Sequence, residues 1–176
     1  MVLSRKKAGW VLAFLVLMWG VNWPLTKYAL NYAPPLLFAG MRLLIGGLVL
    51  GIYAFPRYKT LRLRETWHIY AISAVLNIIF FYGFQTVGLT EVPAGLFSSI
   101  VFLQPVLLGI GAWLWLGESM YGLKVAGLVL GFAGVATISI GGMTGKVSPE
   151  GVMLGLFSAI SWAIGTVYMK KTSTKV

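Results

Sequence analysis

Long apolar runs alternate with short polar connections along this chain, and none of the runs shows the period-two alternation of a strand. Six of them have the length of a bilayer-crossing helix: residues 9–30, 35–55, 67–87, 93–116, 122–140 and 151–169. Roughly 20 helical residues cover the hydrocarbon layer, whereas the strands of a membrane barrel are shorter and alternate in polarity. The pattern predicts an all-α fold, a polytopic membrane helix bundle with six transmembrane helices. Links as short as residues 31–34 and 88–92 make sequential helices antiparallel neighbours.

Composition sharpens this picture. Of the 176 residues 59% are apolar and 10% charged, so little chain is left for a water-soluble domain. The net charge of +10 raises the question of nucleic acid, but the basic residues stand at the ends of apolar helices, not on a soluble face. One side of the predicted bundle carries Arg5, Lys6, Lys7, Arg57, Lys59, Arg62, Arg64, Lys124, Lys170, Lys171 and Lys175; the other carries Lys146, with Lys27 nearby. This bias predicts a multi-pass protein of the inner (plasma) membrane with both termini cytoplasmic, and no nucleic-acid partner. Arg5-Lys6-Lys7 before an apolar run is similar to a secretory signal, but no small-x-small cleavage site follows, which makes the run an uncleaved first helix.

Cysteine is absent and His68 is the single histidine, which removes disulfides, thiolate metal sites and histidine clusters. No cofactor is expected. The four acidic residues, Glu65, Glu91, Glu118 and Glu150, lie in or beside loops. With no buried carboxylate, neither intramembrane acid–base catalysis nor a proton relay of the usual kind is supported, and the chain reads as a non-enzyme.

A pattern recurs across the Gly, Thr, Ser and Pro-rich connection after residue 140. Trp19 precedes Lys27 by eight residues in the first span, and Trp162 precedes Lys170 by eight in the sixth, an offset of 143 residues. Five spans lie between the two copies' starts, so the second copy would insert upside down, as in inverted-repeat transporters. The expected division is a five-helix unit over residues 1–142, a loop over 143–150 and the first helix of a second repeat over 151–176.

Several polar residues stand inside the spans. Arg42 lies seven residues into the second, about 10 Å from its start at 1.5 Å per residue. It serves either as a bidentate anchor for a substrate anion or as a structural arginine reaching the interface or helix carbonyls. Ser73, Asn77, Phe81 and Gln85 recur every four residues on the third span, and Asn77 and Gln104 fall near mid-bilayer. Together they form either a cavity wall, with Phe81 and Phe84 packing an apolar group, or a set of interhelical hydrogen bonds. Trp19, Asn22, Trp23 and Thr26 share a face of the first span beside Pro24, a plausible kink. Trp10 and Trp67 fit the aromatic belt. Glu118, close to Lys124, is either a turn-fixing ion pair or a gate. Gly47 with Gly51, and Gly127, Gly131 and Gly134, predict close helix contacts, either within one chain or between chains.

Leu103-Gln104-Pro105-Val106, Leu116-Gly117-Glu118-Ser119, Gly127-Leu128-Val129-Leu130 and Gly134-Val135, with Trp19-Gly20 and Arg42 upstream, carry a family resemblance. Across residues 9–142 the chain resembles the EamA-type domain of the drug/metabolite transporter superfamily. That resemblance implies a carrier of ten helices in two such domains, moving amino acids, sugars, nucleotide derivatives or drugs. Here the second domain stops after one helix, roughly 110 residues short of a full repeat. The first-helix glutamate of the small multidrug exporter branch has no counterpart.

The expectation is a secondary transporter moving a small organic metabolite or drug through helices that rock around a polar and aromatic cavity. Trp19, Asn22, Arg42, Asn77, Phe81, Gln85 and Gln104 would bind substrate, Glu118 would gate or fix a turn, and a second chain would supply the missing half. The alternative is a truncated, transport-inactive half-carrier or membrane assembly fragment.

Overall fold

The computed structural model describes residues 5–56, 63–141 and 147–172. Among them every regular element is helical: α1 (Arg5–Ala29), α2 (Pro35–Ala54), α3 (Leu63–Ala74), a π-helical stretch (Val75–Phe80), α4 (Phe81–Glu91), α5 (Ala94–Val101), α6 (Gln104–Leu116), α7 (Gly122–Gly141) and α8 (Pro149–Thr172). These supply the six expected spans, from Lys7–Ala29 to Pro149–Thr172. The third runs longer than expected, Arg64–Glu91, because α3, the π stretch and α4 join end to end.

Prolines and one glycine set the boundaries. Val92 is extended (φ −137°, ψ 146°) ahead of Pro93, which disfavours helical backbone in the residue before it, so the third span stops at Glu91. Gly117 adopts the left-handed conformation (φ 67°) that a Cβ would resist; its N–H and that of Glu118 turn back to the Ala112 carbonyl and end α6. Pro24 does not end α1, which runs through it over its 25 residues, although proline has no N–H to return to Gly20.

Two spans depart from regular α geometry within the bilayer. The fourth is not one helix: α5 ends at Val101 and α6 begins at Gln104. Pro105 has no N–H to return to Val101, so the ladder fails there. In the third, the Asn77 side-chain amide donates to the Ser73 carbonyl at 3.2 Å, the acceptor that its own backbone N–H would use in an α-helix. Such competition loosens the turn, and the wider π turn spans Val75–Phe80. A four-residue spacing drifts about 40° per step on an α-helix; a wider turn removes part of that drift. Ser73, Phe81 and Gln85 accordingly all stay buried, with Asn77 half-buried.

The bundle is built around its sixth span. α8 packs on α4, α6, α5, the π stretch and α3. Gly151 lies against Val92 and Glu91, Gly155 against Phe97 and Ile100, Gly111 against Val167, and Gly165 against Asn77. These pairings make α8 antiparallel to the third span and parallel to the fourth. Trp23 meets both Phe97 and Phe102 while Lys27 reaches Leu89, so α1 runs antiparallel to α5 and hence opposite to α8. Lipid offers no hydrophobic gain for helix association, and close van der Waals packing must hold such a bundle. The glycines permit it: a Cβ on Gly88 would overlap Phe97 and Leu154, and one on Gly151 would overlap Val92. Around these contacts lies the core of Trp23, Phe81, Leu89, Leu96, Phe97 and Ile100.

α1, α2 and α7 form the periphery. Residues 7–21 of α1 are exposed throughout. The expected close contacts of Gly47, Gly51, Gly127 and Gly134 are not made among the described residues; each faces open space within 4 Å, and only Gly131 has a neighbour, Val106. Equal hydrophobicity does not distinguish a helix that lipid surrounds from one that protein surrounds.

Candidate functional site

Buried polar residues of the third and fourth spans stand on helices that pack against α8, which carries its own. Buried there without a hydrogen-bond partner are Ser73 Oγ, Asn77 Oδ1, Gln85 Oε1, Gln104 Nε2 and Ser158 Oγ. Each such orphan costs about 1–3 kcal/mol, and native interiors hold few of them. They stand on α8 itself or on elements that pack against it, in the two spans whose backbone is irregular. Gln104 opens α6 immediately after the break in the fourth span, and Asn77 lies within the π stretch of the third. π turns occur preferentially at functional positions, and irregular backbone at membrane depth is tolerated where it is enclosed by protein or lines a cavity. Ser161 Oγ donates to the Leu76 carbonyl at 2.8 Å, tying α8 to that stretch.

A second cluster joins the first three spans. Arg42 Nη1 lies 3.3 Å from Asn22 Oδ1 and 3.5 Å from Thr26 Oγ1. Its Cζ stands 5.1 Å from the Tyr82 ring centroid and 5.7 Å from that of Phe38, within cation–π range. Tyr82 precedes Gln85 by three residues on α4, so this cluster adjoins the α8 seam through one helix turn.

The two ends of the bundle are fastened by lysines. Lys27 Nζ donates to the carbonyls of Leu89 (2.5 Å), Thr90 (2.9 Å) and Val92 (3.1 Å), satisfying the C-terminal end of α4, where cations are favoured. At the opposite end Glu118 receives Lys124 at 2.8 Å and also Lys170. Its hydrogen bonds to Lys124 and then Lys170 hold the carboxyl down at about 2. The paired positions Lys27 and Lys170 thus fasten opposite faces.

Against the expectations from sequence, the structure brings Asn22 to Arg42, and Asn77, Phe81, Gln85 and Gln104 to the centre of the bundle. Asn77 and Gln104 make no hydrogen bond with each other; they sit on two helices that both face α8. Trp19 shares a face with Thr26 as expected, and is 61% exposed while Thr26 is 2% exposed, because no described helix covers α1 at that depth. The sequence reading missed Tyr82, Ser158, Ser161 and Gly165, small or common residues whose importance depends on which helix lies opposite. An apolar recess of about 190 Å³ between α5, α7 and α8, lined in part by Leu96, Ile100, Phe132 and Leu156, flanks these polar side chains without containing them. Among the described residues no group of three or more His, Asp or Glu is placed to hold a metal ion.

A sequence profile described as the EamA-like transporter family matches residues 7–140. The chain belongs to this family. The transporter YvbV of Bacillus subtilis (strain 168), named uncharacterized, is 64% identical over 174 residues, covering 99% of this chain and 57% of its own. YoaV of the same organism, likewise named an uncharacterized transporter, is 31% identical over 159 residues, covering 89% of this chain and 54% of its own. A protein of Escherichia coli (strain K12) named a probable amino-acid metabolite efflux pump is 31% identical over 183 residues, covering 96% of this chain and 55% of its own. The chain therefore spans about half the length of these EamA-like relatives. No solved structure matches it significantly.

Proposed function

We propose that this EamA-like chain moves a small organic metabolite, amino-acid-like in its polar groups, across the inner membrane, and that the seam along α8 is its binding site. The observation that carries this reading is the set of orphaned buried groups at the meeting of the third, fourth and sixth spans. Secondary carriers place their sites near mid-bilayer, at discontinuous helices between repeats, and here a broken helix and a π turn flank such a place. The orphans include acceptors (Asn77 Oδ1, Gln85 Oε1), a donor (Gln104 Nε2) and two hydroxyls, chemistry suited to a solute with both donors and acceptors. The name of the Escherichia coli relative points to the same class. A further wall for the site, contributed by another polypeptide segment or chain, belongs to this proposal, as do cytoplasmic termini on the basic side.

Reconstitution tests it. Purified full-length chain in liposomes, with and without its closing partner, should move at least one of a panel of radiolabelled amino acids, and Gln104→Leu should abolish that flux while remaining folded. A folded wild type that moves none of them, or the same flux with Leu at 104, overturns the reading.

A further inference from the structure

Arg42 is a cation inside a membrane-spanning helix with no carboxylate beside it among the described residues. Among the described residues the salt bridges both belong to Glu118; Glu65 and Glu150 open α3 and α8, and Glu91 ends α4. The partners that Arg42 does have are neutral and distant. At 3.3 and 3.5 Å its contacts to Asn22 and Thr26 exceed the usual N–H···O spacing of about 2.9–3.0 Å, and Thr26 Oγ1 is itself turned to Asn22 Oδ1 at 3.4 Å. All of these contacts fall on Nη1, which leaves Nη2 and Nε uncommitted. The two flanking rings favour a cation without neutralising it. A guanidinium inside a membrane helix costs a few kcal/mol at the least, and in a site assembled from three spans this cost is retained.

We infer that Arg42, framed by Asn22, Thr26 and Tyr82, is an anion-binding subsite that takes the carboxylate of a small organic solute. The planar guanidinium offers its free edge as a two-pronged donor matched to two carboxylate oxygens. One turn along α4 from Tyr82, Gln85 Oε1 is 3% exposed residue-wide and lacks a donor. A solute with a carboxylate on Arg42 and an amine or hydroxyl toward Gln85 would satisfy both. Assigning that solute as cargo rests on the carrier reading; capture of the anion does not. A lipid phosphate presents the same chemistry, so the test must separate the two sources.

Fluorine NMR on the full chain in phosphatidylcholine nanodiscs does so, with 4-fluorophenylalanine, its amide and 4-fluorophenethylamine as probes. The acid should broaden saturably and bind roughly tenfold or more tighter than the other two, the scale of one charge-assisted contact. Arg42→Gln should erase that preference and Arg42→Lys keep part of it; should the glutamine variant fail to fold, the wild-type probe series and Arg42→Lys still decide. Equal binding of acid and amine, no saturable binding, or an unchanged preference in Arg42→Gln overturns the inference. Loss of acid binding when phosphatidylglycerol replaces a third of the lipid overturns the solute assignment in favour of a lipid phosphate. Retained acid binding with no flux in liposomes would remove the carrier reading alone, and flux without carboxylate preference would remove this one alone.

Discussion

Gly165 on α8 sits directly against the side-chain amide of Asn77, so closely that a Cβ on Gly165 would overlap it. The same Asn77 donates its side-chain amide to the Ser73 carbonyl, and one turn earlier on α8 Ser161 binds the Leu76 carbonyl. The sixth span and the widened turn of the third are therefore shaped to each other.

Substituting Gly165→Val should wedge α8 away from Asn77 and destabilise the fold by about 1–3 kcal/mol, the range for overpacking a close contact. Adding Asn77→Ala to the same chain should recover much of the loss. Equilibrium unfolding of the single and double variants in mixed micelles measures both; strict additivity would show that the two residues do not press on each other.

Gln104→Leu should separate stability from function. Removing a buried donor without a partner relieves a penalty of about 1–3 kcal/mol, so the variant should unfold at a higher denaturant fraction than wild type. In liposomes it should be inactive. A variant less stable than wild type would mean that Nε2 is satisfied in the folded protein.

Lys27→Met should release the end of α4. Three carbonyls lose a charged donor at once, and hydrogen bonds to charged groups contribute about 1.5–3 kcal/mol. Hydrogen exchange at the amides around residues 89–97 should accelerate before global unfolding changes; uniform exchange across the chain would contradict a local fastening.

The Glu118 clasp gives a pH dependence of definite sign. Its carboxyl ionises at about 2 in the fold, below the ordinary 4.5, so the unfolded chain binds the proton more readily. The clasp's contribution is complete above about pH 4.5 and falls away as the pH descends toward 2. Thermal midpoints of wild type and Glu118→Gln, followed from pH 7 to 3, should converge on acidification. Parallel curves would show that Lys124 and Lys170 do not hold the carboxylate.

Much of this molecule was legible in its sequence, and the physics explains which part. A bilayer demands length and apolarity from every crossing, so hydropathy alone marks all six spans. The polar exceptions Arg42, Asn77, Gln85 and Gln104 stand out on the same ground. Hydropathy is silent on neighbours. α7 and α8 read alike as apolar helices, yet α7 lines the outside and α8 the centre. The exposure of Trp19 was illegible for that reason: helical phase gives its face, but only the position of other helices says whether that face is covered. Gly47 and Gly51 meet nothing within 4 Å among the described residues, because a small residue permits contact without requiring it. The π stretch depends on a side-chain amide competing for a carbonyl, and no spacing rule announces that.

Because α8 follows the connection at residues 142–146 and still supplies the packing surface for the third and fourth spans, the order of synthesis bears on folding. Five crossings leave the ribosome before their central support exists. Until it arrives, the third and fourth spans lack the helix that covers Asn77 and Gln104 in the finished bundle. Closure of the bundle therefore depends on the sixth span more than on any helix made before it.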